Sequence, residues 1–131
     1  MNAVRQFLTD NPVFYLATVD GNIPKVRPFG FVMDFEGKLY FCTNNQKEVY
    51  KQLKANPHFE VSTTSKTGEW LRLNGEAVFD TNRRTKQAAL DAAPMLGKMY
   101  SVDDAIFEVF YIKNAEATFN DMKGASRTIK L

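Results

Sequence analysis

The chain has 131 residues, 44% hydrophobic and 24% charged, ordinary values for a single globular domain. Seventeen Lys and Arg against 15 Asp and Glu leave a net charge of +2, too balanced for a nucleic-acid-binding surface. One cysteine, Cys42, and one histidine, His58, exclude an internal disulfide, a zinc cluster and a multi-histidine metal site.

The residues from Asn2 to Thr9 suit a short helix with Val4, Phe7 and Leu8 on one side, stopped by Asp10-Asn11-Pro12. Val13 to Val19 is apolar and β-branched and reads as a strand. Asp20-Gly21-Asn22 is a hairpin turn into a second strand, Ile23 to Met33. Pro24 and Pro28 lack the ladder N–H and place that strand on an edge or at a bulge. After the turn Asp34-Phe35-Glu36-Gly37 comes a third strand, Lys38 to Thr43. The period then changes. Val49, Tyr50 and Leu53 give a helix over Gln46 to Ala55, with Asn45 as its cap and Glu48 completing a capping-box pattern. Asn56-Pro57 ends it. His58 to Thr64 is a fourth strand, Ser65 to Gly68 a turn and Glu69 to Phe79 a long fifth strand. A helix follows over Arg83 to Ala92, capped by Asp80, Thr81 or Asn82, with Pro94 beyond its end. Met95 to Asp104 is a connector, and Ala105 to Ile112 and Ala115 to Phe119 are closing strands. The expected fold is mainly β (α+β): one domain over residues 1–131, an antiparallel split barrel of six or seven strands with two or three peripheral helices.

Eleven Phe, five Tyr and one Trp make 13% of the chain aromatic. That suits a β-rich core or a platform for a flat ligand. No basic-apolar-small leader pattern and no apolar run of about 18 residues occurs, so a reducing, cytoplasmic setting without a membrane partner is expected.

Three segments can carry chemistry. Where the third strand meets its helix, Cys42-Thr43-Asn44-Asn45-Gln46-Lys47 sets hydroxyl, amide and ammonium donors beside a helix N-terminus, which suits a phosphate monoester. The same residues also describe a plain helix cap with a solvated lysine. In the second strand, alternation puts Arg27 on the face of Phe29, Phe31 and Met33, where a cation needs a partner. That partner is a phosphate, a ring carbonyl or a neighbouring carboxylate. Val26 and Pro28 point the other way. On the fifth strand, Trp70, Arg72, Asn74, Glu76 and Val78 share a face that suits a subunit interface, a ligand wall or solvent. Cys42 has no histidine in a recognisable motif beside it and reads as a pocket or core residue. His58 reads as structural. No G-x-G-x-x-G, Walker A or G-x-S-x-G pattern occurs, and the carboxylates form no acid/base pair.

In order and spacing these segments resemble the pyridoxamine 5'-phosphate oxidase-like, FMN-binding split-barrel family. The resembling stretches are Phe14-Tyr15-Leu16-Ala17-Thr18, Pro24-Lys25-Val26-Arg27-Pro28-Phe29, Leu39-Tyr40-Phe41-Cys42-Thr43, the helix from Lys47 to Pro57 and Leu71-Arg72-Leu73-Asn74-Gly75-Glu76-Ala77. The resemblance implies an FMN-dependent oxidoreductase that works as a homodimer, with FMN at the subunit interface and a small-molecule electron donor and acceptor. It places Arg27 and Lys47 at the FMN phosphate or ring edge. Thr43 and the backbone from Cys42 through Asn44 to Asn45 fall on the phosphate and ribityl chain, and Val26, Pro28 and Phe29 along the ring. Trp70, with Arg72, would come from the second subunit. No catalytic side chain and no metal is implied.

The chain ends in Ser126-Arg127-Thr128-Ile129-Lys130-Leu131 and lacks the paired Trp and Arg-x-His signature with which the vitamin-processing oxidase holds its substrate. The likeness is therefore to the short branch containing nitroimidazole-resistance-type and general-stress-type proteins. The rival readings are a flavin-binding redox sensor or carrier without turnover, and a haem or deazaflavin binder on the same scaffold. Haem finds only His58 as a histidine ligand.

Overall fold

In a computed structural model, which describes residues 2–131, the chain runs α1 (Asn2–Asp10), β1 (Phe14–Asp20), β2 (Ile23–Phe29), β3 (Met33–Phe35), β4 (Lys38–Asn44), α2 (Glu48–Ala55), β5 (His58–Thr64), β6 (Trp70–Phe79), α3 (Arg83–Ala92), a 3-10 helix (Pro94–Lys98), β7 (Phe107–Asn120) and β8 (Ser126–Lys130). The strands form one antiparallel sheet in the order β2-β1-β5-β6-β7-β4-β3, with β8 paired to β7. The expected α+β split barrel is the observed fold, with eight strands in place of six or seven.

The sheet curls because its alternate side chains are large and apolar. Phe14 on β1 and Phe41 on β4 are four places apart in the strand order, yet their rings meet at 6.0 Å. Phe29 on the edge strand β2 reaches Phe110 on β7 at 6.4 Å. Leu16, Val61, Leu71, Leu73 and Ala117 fill the rest of the interior with no exposed surface. Each large side chain so buried contributes about 1.5–3 kcal/mol. Val4 and Leu8 of α1 and Val49 and Leu53 of α2 join this core. A second cluster covers the outer face of β3, β4 and β7. There Tyr40, Phe107 and Val109 pack under Ala89 of α3 and Tyr100. α3 has the expected bounds and a true capping box, in which the Asn82 side chain accepts from the Thr85 N–H and Thr85 Oγ1 accepts from the Asn82 N–H.

Several boundaries differ from the sequence expectation, each for a local reason. β1 begins at Phe14 because Val13 takes φ 67°, outside the strand region. The segment from Ile23 to Met33 is two strands. β2 stops at Phe29, and Met33–Phe35 pairs instead with β4. Pro24 and Pro28 do lie on an edge strand, since β2 pairs only with β1. The two closing strands are one fourteen-residue strand, β7. Its register shifts opposite Asn74 and Glu76, where Asn114 takes φ 51°. This bulge absorbs the irregularity that read as a break. Gly75 is needed there because a Cβ would fall 2.6 Å from Ile112 Cγ1. β8 was not anticipated. It is short and polar and has a partner only once β7 is in place.

The interior takes Leu16, Val61 and Leu73, so their strand neighbours face outward. The pairs Tyr15–Pro28, Tyr15–Ser62, Ser62–Arg72 and Thr64–Trp70 put Tyr15, Val26, Pro28, Trp70 and Arg72 on one outer face. Tyr15 is 51% and Val26 67% exposed. No helix among the described residues is long and apolar enough to cross a membrane.

Candidate functional site

Four pieces of chain converge on a cleft of about 540 Å³: the end of β2, the end of β4, the start of α2 and the segment from Ala93 to Tyr100. Its walls bring together Arg27, Pro28, Phe29, Cys42, Thr43 and Lys47, all singled out in the sequence. The volume is in the range of small-molecule and cofactor sites. Val26 lies outside it on the exposed face, and Trp70 stands at the far end of β6, away from this chain's cleft.

Arg27 enters from β2 and is held by neutral oxygens. Its Nη1 donates to Thr18 Oγ1 at 2.7 Å and to the Leu16 carbonyl at 3.3 Å, and its Nη2 donates to Gln52 Oε1 at 2.6 Å. No carboxylate pairs with it among the described residues. Burial lowers its pKa from the usual value, but a guanidinium stays charged at any ordinary pH.

Lys47 occupies a different position from the one its spacing suggested. α2 begins at Glu48, so Lys47 is the N-cap, and its side chain makes no capping bond. The capping box of Asn45 and Glu48 does not form. Asn45 Nδ2 is drawn to Ala105 O at 2.8 Å and Glu108 Oε2 at 2.9 Å, and those bonds pin the loop to β7 instead of the helix. The first N–H groups of α2 therefore have no side-chain acceptor, and their partial positive charge adds to that of Lys47. Beside them Thr43 Oγ1 is buried without a hydrogen-bond partner. A buried hydroxyl left this way costs roughly 1–3 kcal/mol.

Asn44 is also occupied. Its Nδ2 donates to the Tyr100 hydroxyl at 2.8 Å, and its Oδ1 accepts from the Gln46 N–H at 3.0 Å. Those bonds clamp the β4–α2 loop to the wall opposite, where Tyr100 stacks on Phe107 at 4.6 Å. Burial pushes the Cys42 thiol up to about 12, with Lys47 opposing that shift, so the thiol stays neutral and is a wall residue, not a nucleophile. His58 is exposed on β5 and lines another groove.

By its sequence, Met95 to Asp104 is expected to be a connector. In the fold Met95, Leu96, Lys98 and Met99 make the far wall of the cleft, and Met95 and Met99 are 71% and 64% exposed at its rim. The available signal was three apolar residues shortly after Pro94, too few to show a period. The assembled cleft is lined by three cations, Arg27, Lys47 and Lys98, by the orphaned Thr43 hydroxyl and by apolar side chains, with no carboxylate in its lining.

The profile of the pyridoxamine 5'-phosphate oxidase family matches residues 1–120. Among solved structures, a NimC/NimA family protein from Clostridium acetobutylicum is 47% identical with a TM-score of 0.96, the match covering 100% of this chain and 92% of that one. General Stress Protein 26 from Bacillus anthracis is 15% identical with a TM-score of 0.76, covering 99% of this chain and 97% of that one. A heme binding protein from Mycobacterium smegmatis is 17% identical with a TM-score of 0.75, covering 96% of this chain and 55% of that one. The last two share the fold. No curated protein matches the sequence.

Proposed function

The chain belongs to the pyridoxamine 5'-phosphate oxidase family, and on that premise we propose that it is a homodimeric FMN-binding oxidoreductase acting on small molecules. The observation that carries this reading is the orphaned Thr43 hydroxyl, set beside an uncapped helix start and the unpaired charges of Arg27 and Lys47. A phosphate would accept from all of them at once, and charge-assisted hydrogen bonds of this kind are about twice as strong as neutral ones. Pro28, Phe29, Met95 and Met99 supply the apolar surface that a flat ring system needs.

FMN, when bound, supplies reversible hydride and electron transfer. The chain's own residues bind and orient. Lys47, the Thr43 hydroxyl, the start of α2 and the remaining Arg27 N–H groups would hold the phosphate. Arg27 gives the cleft a fixed positive charge that favours anionic ligand forms. The segment from Met95 to Met99 excludes water from one side. The Cys42 thiol is held neutral and offers no thiolate to the cleft. The outer face carrying Tyr15, Val26 and Trp70 supports the dimer, because an exposed apolar sheet face is a surface for association. In the dimer Trp70 and Arg72 would reach a cofactor held by the other subunit.

The test is the visible spectrum of the purified protein, followed by titration with FMN and native mass spectrometry. A flavin spectrum and a dimer carrying two FMN are expected. A colourless monomer that takes up no FMN overturns the reading, and a Soret band would replace it with haem.

A further inference from the structure

Arg27 sits in a closed triangle of hydrogen bonds. It donates to Thr18 Oγ1 at 2.7 Å and to Gln52 Oε1 at 2.6 Å, and the Thr18 hydroxyl donates to the same Gln52 oxygen at 2.6 Å. A guanidinium cannot accept, so the Gln52 atom facing it is the carbonyl oxygen, and the Thr18 proton is directed to that oxygen as well. The triangle has a single polarity, with every spare dipole turned toward the cation. Thr18 and Gln52 are 3% and 8% exposed, so water competes little for these bonds. The three corners come from β1, β2 and α2, and Lys47 caps the same helix that carries Gln52. Arg27 is thus tied to the helix whose N-cap residue is Lys47.

The chemistry of the acceptors is the informative part. Thr18, Gln52 and the Leu16 carbonyl fix the guanidinium in place without cancelling its charge. A glutamate at position 52 would have nearly the same shape and would neutralise Arg27 outright. Three of the five guanidinium N–H groups are used in these bonds, which leaves two donors for the cleft that Arg27 lines.

We propose that Gln52, together with Thr18, is a positioning residue that aims Arg27 while keeping its charge available, and so makes the cleft select a phosphorylated ring system over the same ring without phosphate. The choice of probe rests on the FMN reading above. The role differs from simple packing because it depends on charge and not on volume.

The experiment compares FMN with riboflavin, by quenching of flavin fluorescence, in the full-length protein. Wild type is expected to prefer FMN. Gln52→Glu should lose at least tenfold in FMN affinity while its riboflavin affinity stays within about twofold, since an added carboxylate beside a cation removes a charged interaction. Gln52→Leu should lose FMN affinity severalfold, and that loss should vanish in an Arg27→Gln background, because the two residues act as a unit. Equal losses for both flavins, unchanged FMN binding in Gln52→Glu, or full additivity with Arg27→Gln overturns the proposal. If Gln52→Glu fails to fold, the near-isosteric Thr18→Val decides: a falling ratio of FMN to riboflavin affinity supports it and an unchanged ratio overturns it. A wild type that binds neither flavin defeats the cofactor reading alone. The triangle is then judged with inorganic phosphate by phosphorus NMR. Line broadening lost in Gln52→Glu supports it, and broadening unchanged between the two proteins, or absent from wild type, overturns it.

Discussion

Two groups of cations in this molecule are treated in opposite ways. On the outside, Arg83 pairs with Asp103, Arg84 with Glu36, and Arg72 with Glu60 at 3.5 Å. These pairs are largely solvated: the first two tack α3 to the chain before β7 and to the β3–β4 turn, and the third links β6 to β5. In the cleft, Arg27 is held only by uncharged oxygens and Lys47 has no carboxylate partner among the described residues. The outer cations already have their counter-charge, so they serve the fold. Arg27 is oriented by neutral oxygens and keeps its charge, while Lys47 stands exposed at the start of α2 with no side-chain capping bond. Number of charges does not separate the two regions. What stands next to them does.

The sharpest way to break this contrast is to remove Arg27 and Lys47. Arg27→Ala with Lys47→Ala should each cost about 1.5–3 kcal/mol of FMN affinity, and the double variant should bind at least a hundredfold more weakly in a flavin titration. Its melting temperature should change little, because Thr18 and Gln52 still bond each other. Retained FMN affinity would remove the special status of the cleft.

The next effect concerns Cys42, which lies beside Lys47 yet is pushed up from the ordinary thiol value of 9.0 to about 12 by burial. Its thiolate is scarce at neutral pH, so alkylation by iodoacetamide should run at least tenfold slower in the folded protein than in urea. The same shift makes stability depend on alkali. The unfolded thiol ionises near pH 9 and the folded one near 12, so stability present below pH 9 is lost as pH rises toward 12. Cys42→Ala should flatten that decline in denaturant melts across the window.

A smaller effect is expected at Thr43. Thr43→Val keeps the shape and removes the unpartnered hydroxyl. FMN affinity should fall by about 0.5–1.5 kcal/mol while stability without ligand holds or rises. A variant that melts earlier and binds FMN normally would make the hydroxyl a structural group.

The smallest effect belongs to the outer group. Arg83→Ala should cost at most about 1 kcal/mol of stability, as solvated ion pairs do, and leave FMN affinity as it was. A loss of binding there would erase the distinction between the two sets.

Much of the architecture was legible in local pattern. The helix Arg83–Ala92 and the strand His58–Thr64 have the expected bounds, because cap, period and breaker agree at both ends. Proline also located the edge strand correctly. The failures share a cause. Asn45 and Glu48 have capping-box spacing, but Asn45 had better partners in Ala105 and Glu108, about sixty residues away in sequence. β7 looked broken at Lys113 and Asn114 because a bulge is defined by two strands and only one of them is present locally. The Met95 wall carried too few apolar residues to announce an element.

The sequence by itself determined that the chain is an antiparallel β domain with helices after β4 and β6, and that Arg27, Thr43 and Lys47 are polar groups at positions where polarity needs a reason. Periodicity, turn chemistry and proline act over a few residues, and they are written in the order of the chain. Only the tertiary structure decided that those three residues face one cleft, that Gln52 and Thr18 hold the guanidinium without neutralising it, and that the segment after Pro94 closes the far wall. Such choices are made by the curl of the sheet, which brings together groups whose separation along the chain carries no trace of their distance in space.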